Sequence, residues 1–395
     1  MPWSRSPEDM FVGSVRLRRM RPRIAVLTER FGGLGGGERF SHEVTRRLAA
    51  SGRYEMHVFC WRRGAETHTD CPTITFHHVP RLKFPRFMRP LLFNWVAQRR
   101  MRRGRFDLIH SHQPTWRADV FSTHSAPHVH WMERILQRRP QPIDRVMMRI
   151  DQRMIAGGTD SIFMPVSSFL HDRYRERFTP LLGHWRVVPP GVDCAHFLHD
   201  PSARAQLRAQ LSIPVNACAL LFVGMNFKTK GLRLLIDALA LAPKHDGCER
   251  MQLIVVGRGD AAPFRAQAQR LGVGDCVHFV GAVPDTAPWY SAADAFALLS
   301  DFETFGMVVA EAMAAGLPVL VTDQMGARDL VAGSGAGAVM ASPTAASLAQ
   351  QLALLADPAT RASMGAAARA RAESLTWERT TAAIAQAYDD VLARR

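Results

Sequence analysis

Ala295-Phe-Ala-Leu-Leu-Ser-Asp-Phe-Glu-Thr-Phe-Gly-Met-Val-Val-Ala-Glu-Ala-Met-Ala-Ala-Gly-Leu-Pro-Val-Leu-Val321 is the stretch from which the fold is read. Ala295–Leu299 is an unbroken apolar run with the length of a buried strand, and Pro318–Val321 is another. The segment between them runs into a helix that Gly316 and Pro318 terminate. A strand that is apolar without alternation is covered on both faces, as in a parallel sheet with helices on either side.

The same alternation extends in both directions. Toward the N-terminus, Arg23–Thr28 reads as a short strand, Phe31–Gly37 as a glycine-rich turn, and Phe40, Val44 and Leu48 recur at helical spacing. Short apolar runs follow at Met56–Cys60, Ile74–Val79, Asp107–His110, Asp119–Thr123, Ser161–Val166 and Arg186–Val188. After Pro189-Pro190-Gly191 the pattern restarts, with strands expected at Ala217–Val223, Leu253–Val256 and Val277–Val280. Helical stretches such as Leu232–Leu241 and Ala262–Leu271 separate them. The expected architecture is α/β, two doubly wound domains facing a cleft. A loose extension (1–21) precedes a first domain (22–195). A second domain (196–374) is followed by a final helix within 375–395.

With 395 residues, 47% apolar and 22% charged, the chain has the composition of a globular protein and can bury two cores. No apolar run approaches the roughly 20 residues that span a bilayer, and the basic N-terminus lacks a signal-peptide core, so a cytosolic protein is expected. The six cysteines (60, 71, 194, 218, 248 and 276) form no CxxC pair and are expected to be reduced thiols. The net charge of +15 is uneven: residues 1–195 hold 33 Lys+Arg against 17 Asp+Glu, and the remainder holds 17 against 18. Nucleic acid, an anionic membrane or a phosphorylated substrate would each account for the basic half. Within it, Arg81–Arg105 interleaves nine cations with Phe84, Phe87, Leu91, Leu92, Phe93, Trp95 and Val96. This stripe suits either a lipid interface or a helix whose apolar face meets the core.

Several motifs carry chemistry. The loop Gly32-Gly33-Leu34-Gly35-Gly36-Gly37 lies between a strand and its helix, where backbone N–H groups can approach a phosphate; a tight turn is the plain alternative. It is neither GxGxxG nor a P-loop. The second strand ends in Trp61-Arg62-Arg63 without the acid that grips an NAD ribose, which disfavours a nicotinamide-linked oxidoreductase. Glu303 and Glu311, eight residues apart, would be separated by about 12 Å along a helix axis. That span is comparable to the distance from a hexose to a ribose across a diphosphate. The amides near Phe305–Met307 open the helix toward a phosphate or sugar hydroxyl. Glu311, flanked by Val308, Val309, Ala312 and Met313, is expected to be partly buried and to need partners such as ribose hydroxyls. The plain alternative is a capping Glu303 and a solvated Glu311. Lys228 and Lys230 stand at a strand-to-helix turn, and His110, His112 and His124 at strand ends facing the cleft. Asp301-Phe302-Glu303 is only a weak metal motif, and no metal is expected.

At these residues the chain resembles a retaining glycosyltransferase of family 4, with the GT-B fold, from about Arg23 onward. The carriers are Glu303-x7-Glu311 with Ala315-Gly316-Leu317-Pro318-Val319, Gly35-Gly36-Gly37-Glu38-Arg39, Gly191-Val192-Asp193 and Lys230-Gly231. Val256-Gly257 with Val277–Gly281 supports them, and Trp377-Glu378 is similar to the family's crossing helix. Phe31–Leu34, Val188–Gly191 and Phe227–Gly231 look most like the lipopolysaccharide core glucosyltransferase that acts on heptose. The resemblance implies a UDP-hexose substrate, no metal and no other cofactor. It assigns Glu311 to the donor ribose and Glu303 to the transferred sugar. Lys230 and Lys228, the Phe305, Gly306 and Met307 amides and Gly36 (or Gly33) go to the diphosphate, and His124 to the hexose. Met225 stands where many members carry arginine. The implied partners are a lipid-linked or phosphorylated saccharide acceptor and an anionic membrane on the cytoplasmic side, with no nucleic acid. Another glycolipid, a polyprenyl-linked glycan or a small molecule is the alternative acceptor.

Overall fold

The computed structural model describes residues 21–242 and 251–395, apart from residues 34, 65, 66, 68 and 81–84. The extension over 1–20, Cys248, and Arg81, Lys83 and Phe84 of the basic stripe lie outside the described residues.

Seven strands form the first sheet: β1 (Arg23–Leu27), β2 (Glu55–Cys60), β3 (Thr75–His78), β4 (Leu108–Ser111), β5 (Val120–Thr123), β6 (Ile162–Pro165) and β7 (His184–Trp185). They are all parallel, in the order β3-β2-β1-β4-β5-β6-β7. Six further parallel strands form the second sheet: β8 (Ala219–Val223), β9 (Gln252–Val256), β10 (Val277–Gly281), β11 (Ala295–Leu298), β12 (Val319–Thr322) and β13 (Gly337–Met340). Their order is β10-β9-β8-β11-β12-β13. Ile24–Leu27, Leu220–Phe222 and Phe296–Leu298 are all buried, as unbroken apolar runs require. Each Ile, Val, Leu and Phe among them contributes about 1.5–3 kcal/mol.

The strand expected at Arg186–Val188 begins earlier, at His184–Trp185, where Trp185 pairs with Phe163 and stacks on its ring at 4.6 Å; Arg186 and Val188 continue along β6, donating to the Phe163 and Pro165 carbonyls at 3.0 and 2.9 Å. β13 is an edge strand that apolar patterning does not announce. Its Gly337, at φ +153°, lies where any Cβ would meet the Val319 carbonyl.

In both sheets the order reverses beside the first strand, leaving crevices at the carboxyl ends of the strands. Three helices bring side chains to the crevices: α1 (Gly36–Ala50), α2 (Pro142–Ala156) and α3 (Met307–Ala314). The last helix, α4 (Trp377–Ala393), returns to the first sheet. There Tyr388 Oη lies 2.7 Å from His110 Nδ1, and Asp389 pairs with Arg53 at 2.9 Å. The two halves meet directly across the cleft. Ser168 donates its N–H and hydroxyl to Asp329, Ser167 Oγ donates to the Thr304 carbonyl, and Arg328 pairs with Asp172.

Among the described residues no cysteine is in a disulfide, and burial pushes the Cys60 and Cys218 thiols up to about 11 and Cys71 to about 12. Sequence spacing could not show that Cys71 Sγ lies 3.6 Å from His42 Nε2, which also pairs with Asp70 at 3.1 Å.

Candidate functional site

The second half contributes charge. Gly306, at φ +95°, turns the chain after β11 into α3, whose first amides have no carbonyl a turn behind them. Glu303 precedes that turn and forms an ion pair with Lys230, which follows β8. Glu311 lies one face further along α3 and is 5% exposed. It is not solvated: Arg39 of α1 donates to Oε1 at 2.9 Å and the Tyr290 hydroxyl to Oε2 at 3.0 Å. Burial raises the Glu311 pKa, while Arg39 and Tyr290 act to lower it. Both carboxylates of the motif are therefore neutralised by a cation within the protein, Glu311 by one from the opposite half.

The glycine loop meets α3 from above. A Cβ on Gly36 would lie 3.6 Å from Met307 Cγ, and one on Gly37 would lie 3.3 Å from His124. A Cβ on Gly33 would collide with the Glu38 carboxylate. Backbone there can thus approach a ligand as closely as side chains elsewhere would prevent. Phe305 is buried, Met225 is 59% exposed, and Lys228 is exposed.

The first half contributes neutral rings. His110, His112 and His124, from β4, β5 and their ends, lie side by side, with His112 Nδ1 at 3.2 Å from His124 Nε2. Burial depresses their pKa values, to about 3 for His110 and about 4 for His124, so they are uncharged at neutral pH. His110 also bonds Ser122 Oγ at 2.9 Å, whereas His112 Nε2 is buried without a partner among the described residues.

Between the halves lies a cavity of about 380 Å³. His124, Lys230 and Glu303 line it together, joined by Trp131, Asp151 and Phe302. Glu303, His124 and Lys230 are thus brought to one space, whereas Glu311, Gly36 and Met307 lie around the turn beside it. Lys228 is not part of the cavity wall. Asp151, Trp131, Tyr290 and Arg39 were not singled out from sequence. Arg39 follows the glycine loop and was within reach of that reading; the others have no local motif.

The basic helix Arg89–Gly104 mostly follows the plain alternative. Phe93, Ala97 and Met101 pack against Ala25, Leu27 and Phe59, so the apolar stripe largely faces the core. Trp95 remains outside at 53% exposure, with Arg99 5.7 Å over its ring. Among the described residues no helix is long and apolar enough to cross a membrane.

The family described as "Glycosyltransferase Family 4" matches residues 34–196, and "Glycosyl transferases group 1" matches 203–371. A D-inositol 3-phosphate glycosyltransferase from Arthrobacter sp. (strain FB24) is 32% identical over 390 residues, covering 90% of each chain. In fold, the chain is similar to WaaG, a glycosyltransferase involved in lipopolysaccharide biosynthesis. The TM-score is 0.77 at 23% identity, over 92% of this chain and 98% of WaaG. It is also similar to Anabaena HepE in complex with UDP and glucose, with TM-score 0.72 at 21% identity, over 94% and 100%. The resemblance to the lipopolysaccharide enzyme thus rests on the fold, while the sequence relative is an enzyme of inositol phosphate. With both halves of the chain matched, the protein belongs to the family 4, group 1 glycosyltransferases, retaining hexosyltransferases of the GT-B fold that use a nucleotide sugar.

Proposed function

We propose that the protein transfers a hexose, with retention, from a UDP-sugar to a hydroxyl of a compact polyol or saccharide held in the cavity between the halves. The observation that carries this reading is the sharing of that cavity by Glu303, Lys230 and His124. Glu303 and His124 would hold the hexose hydroxyls. Lys230, released from Glu303 by the donor, would meet the diphosphate with the Phe305, Gly306 and Met307 amides and Gly36; Lys228 would add charge from outside. Glu311 would exchange Arg39 for the ribose hydroxyls. Carboxylates paired with a cation and a tyrosine hydroxyl are already disposed to accept two hydrogen bonds.

The acceptor oxygen bonds to the anomeric carbon on the face from which UDP departs, the anomeric carbon–phosphate oxygen bond breaks, and the acceptor proton passes to that leaving oxygen. Lys230 and the helix N-terminus stabilise the charge that develops there. No protein nucleophile and no cofactor enter this scheme. The activity of the inositol phosphate relative supports a compact acceptor. Exposed Trp95 and Arg99 support a second reading, in which the acceptor is lipid-linked and the helix rests on an anionic leaflet.

The test is incubation with radiolabelled UDP-glucose and UDP-galactose and an acceptor panel, with the product's anomeric configuration read by NMR. UDP release with an axial product is expected from an axial donor. Absence of UDP binding by calorimetry, or an inverted product, would overturn the reading.

A further inference from the structure

Resting on that reading, we infer that the cavity holds the acceptor's reacting ring uncharged, stacked on Trp131 and hydrogen-bonded by Asp151, and that it discriminates against a phosphate on that ring.

The walls carry the argument. Trp131 is 40% exposed and meets Phe302 edge-on at 6.0 Å, so the cavity has an aromatic wall at its mouth. Phe302 is held in turn by Phe169 and His130 at 5.6 and 5.2 Å. Trp131 and Phe302 thus offer an apolar surface against which the C–H face of a sugar or cyclitol can lie.

Asp151 of α2, 3% exposed, lines the same cavity one helical turn beyond Met147. Its Oδ2 accepts from the His128 backbone N–H at 2.7 Å, which fixes the carboxyl group. No ion pair joins it to a cation among the described residues, and burial lifts its pKa to about 7. A buried carboxyl group without a cation needs a hydrogen-bond donor, and an acceptor hydroxyl is one. A phosphate is not, because it would add negative charge beside Asp151 and Glu303.

Nor do the described walls supply compensating cations. Lys230 is their one lysine, is committed to Glu303 or the donor diphosphate, and no arginine lines the space. His124 is kept neutral by burial, and His128 Nε2 is already taken by Asp144 at 2.9 Å. Arg89 lies in a neighbouring cavity of about 160 Å³, beyond Pro114 and Met147, where Glu29 also lines the wall. A longer saccharide could continue there. The acceptor preference of this chain thus departs from that of its inositol phosphate relative.

The experiment compares two rings that differ by one phosphate, myo-inositol and D-inositol 3-phosphate, with methyl α-D-glucopyranoside as a second neutral probe. Saturation-transfer NMR on the UDP-loaded protein reads binding, and UDP-glucose turnover reads transfer. Saturation of a neutral probe's ring protons, lost in Trp131→Ala, is expected, with binding of the neutral ring at least tenfold tighter than of the phosphorylated one. Asp151→Asn, which keeps an oxygen for the His128 N–H, should weaken the neutral probe about tenfold and narrow the discrimination. Stronger binding of D-inositol 3-phosphate, no saturation of either neutral probe, or unchanged affinities in both folded variants would overturn the inference. UDP calorimetry on the wild type reports the donor reading separately, so the two can fail independently.

Discussion

The two walls of the cleft solve the same problem in opposite ways. On the second half, Glu303 and Glu311 each meet a cation, Lys230 and Arg39, and at Glu311 that pairing opposes the burial that raises its pKa. On the first half, His110, His112 and His124 surrender theirs to burial, and Asp151 is pushed toward its neutral form for the same reason. A wall that would exchange internal partners for a charged donor, as proposed, is served by paired ions. A wall that cradles neutral rings is better served by groups whose charge desolvation has removed.

The largest effect expected from this contrast is on acid stability. A folded-state histidine pKa of about 4, against an ordinary 6.5, means that the unfolded chain binds the proton first as pH falls. Stability is then lost from about pH 6.5 downward, by about 2 kcal/mol at pH 5 for a histidine held near 4, and the depressed His110 and His112 act in the same direction. Asp151 has the opposite sign. Held near 7 in the fold, it binds its proton between about pH 4 and 7 only when folded, so its contribution improves as pH falls, by about 2 kcal/mol between pH 7 and 5. Urea unfolding at pH 7 and 5 checks both: His110→Gln should flatten the dependence, and Asp151→Asn should steepen it. Parallel curves for the variants and wild type would break the contrast.

On the charged wall, Glu311→Ala should weaken UDP binding by about 1.5–3 kcal/mol, the loss expected for charge-assisted hydrogen bonds. Calorimetry reads it, and unchanged affinity in a folded variant would remove Glu311 from the donor site.

Outside the cleft, Arg102→Gln or Arg103→Gln should weaken binding to anionic liposomes by about 1 kcal/mol each, with strong salt dependence. Co-sedimentation that ignores lipid charge would leave the exposed Trp95 and its arginines without a membrane role.

The smallest effect separates the halves most finely. Arg39→Ala removes the cation that the ribose would displace under the proposed function, and the pair is partly exposed, so UDP should bind more tightly by about 0.2–1 kcal/mol. Weaker binding would mean that Arg39 itself touches the donor.

How much of this was readable beforehand differs between the walls. Glu303, Glu311 and the turn between them lie within nine consecutive residues, and their spacing on a strand–turn–helix unit is a local property. The parallel sheets were equally legible, because a strand covered on both faces leaves an unbroken apolar run such as Leu220–Phe222. β13 escaped because an edge strand is only half covered, whereas Arg186–Val188 does lie along β6 and only the earlier start of the pairing, at His184, went unread. The apolar stripe of Arg89–Gly104 had two admissible partners by periodicity, and contact with Ala25, Leu27 and Phe59 selected the core.

By itself, the order of residues determined the alternation of strand and helix, the motif carboxylates and the excess of cations in the first half, since each depends on neighbours a few positions away. Only the tertiary structure decided that Arg39 and Tyr290 would hold Glu311, that three histidines would be neutral, and that Asp151 and Trp131 would line one cavity. Those outcomes depend on burial and on contacts between segments as much as 272 positions apart. Desolvation, the force that sets a buried group's charge, is a property of the space around it and not of the residues beside it in the chain.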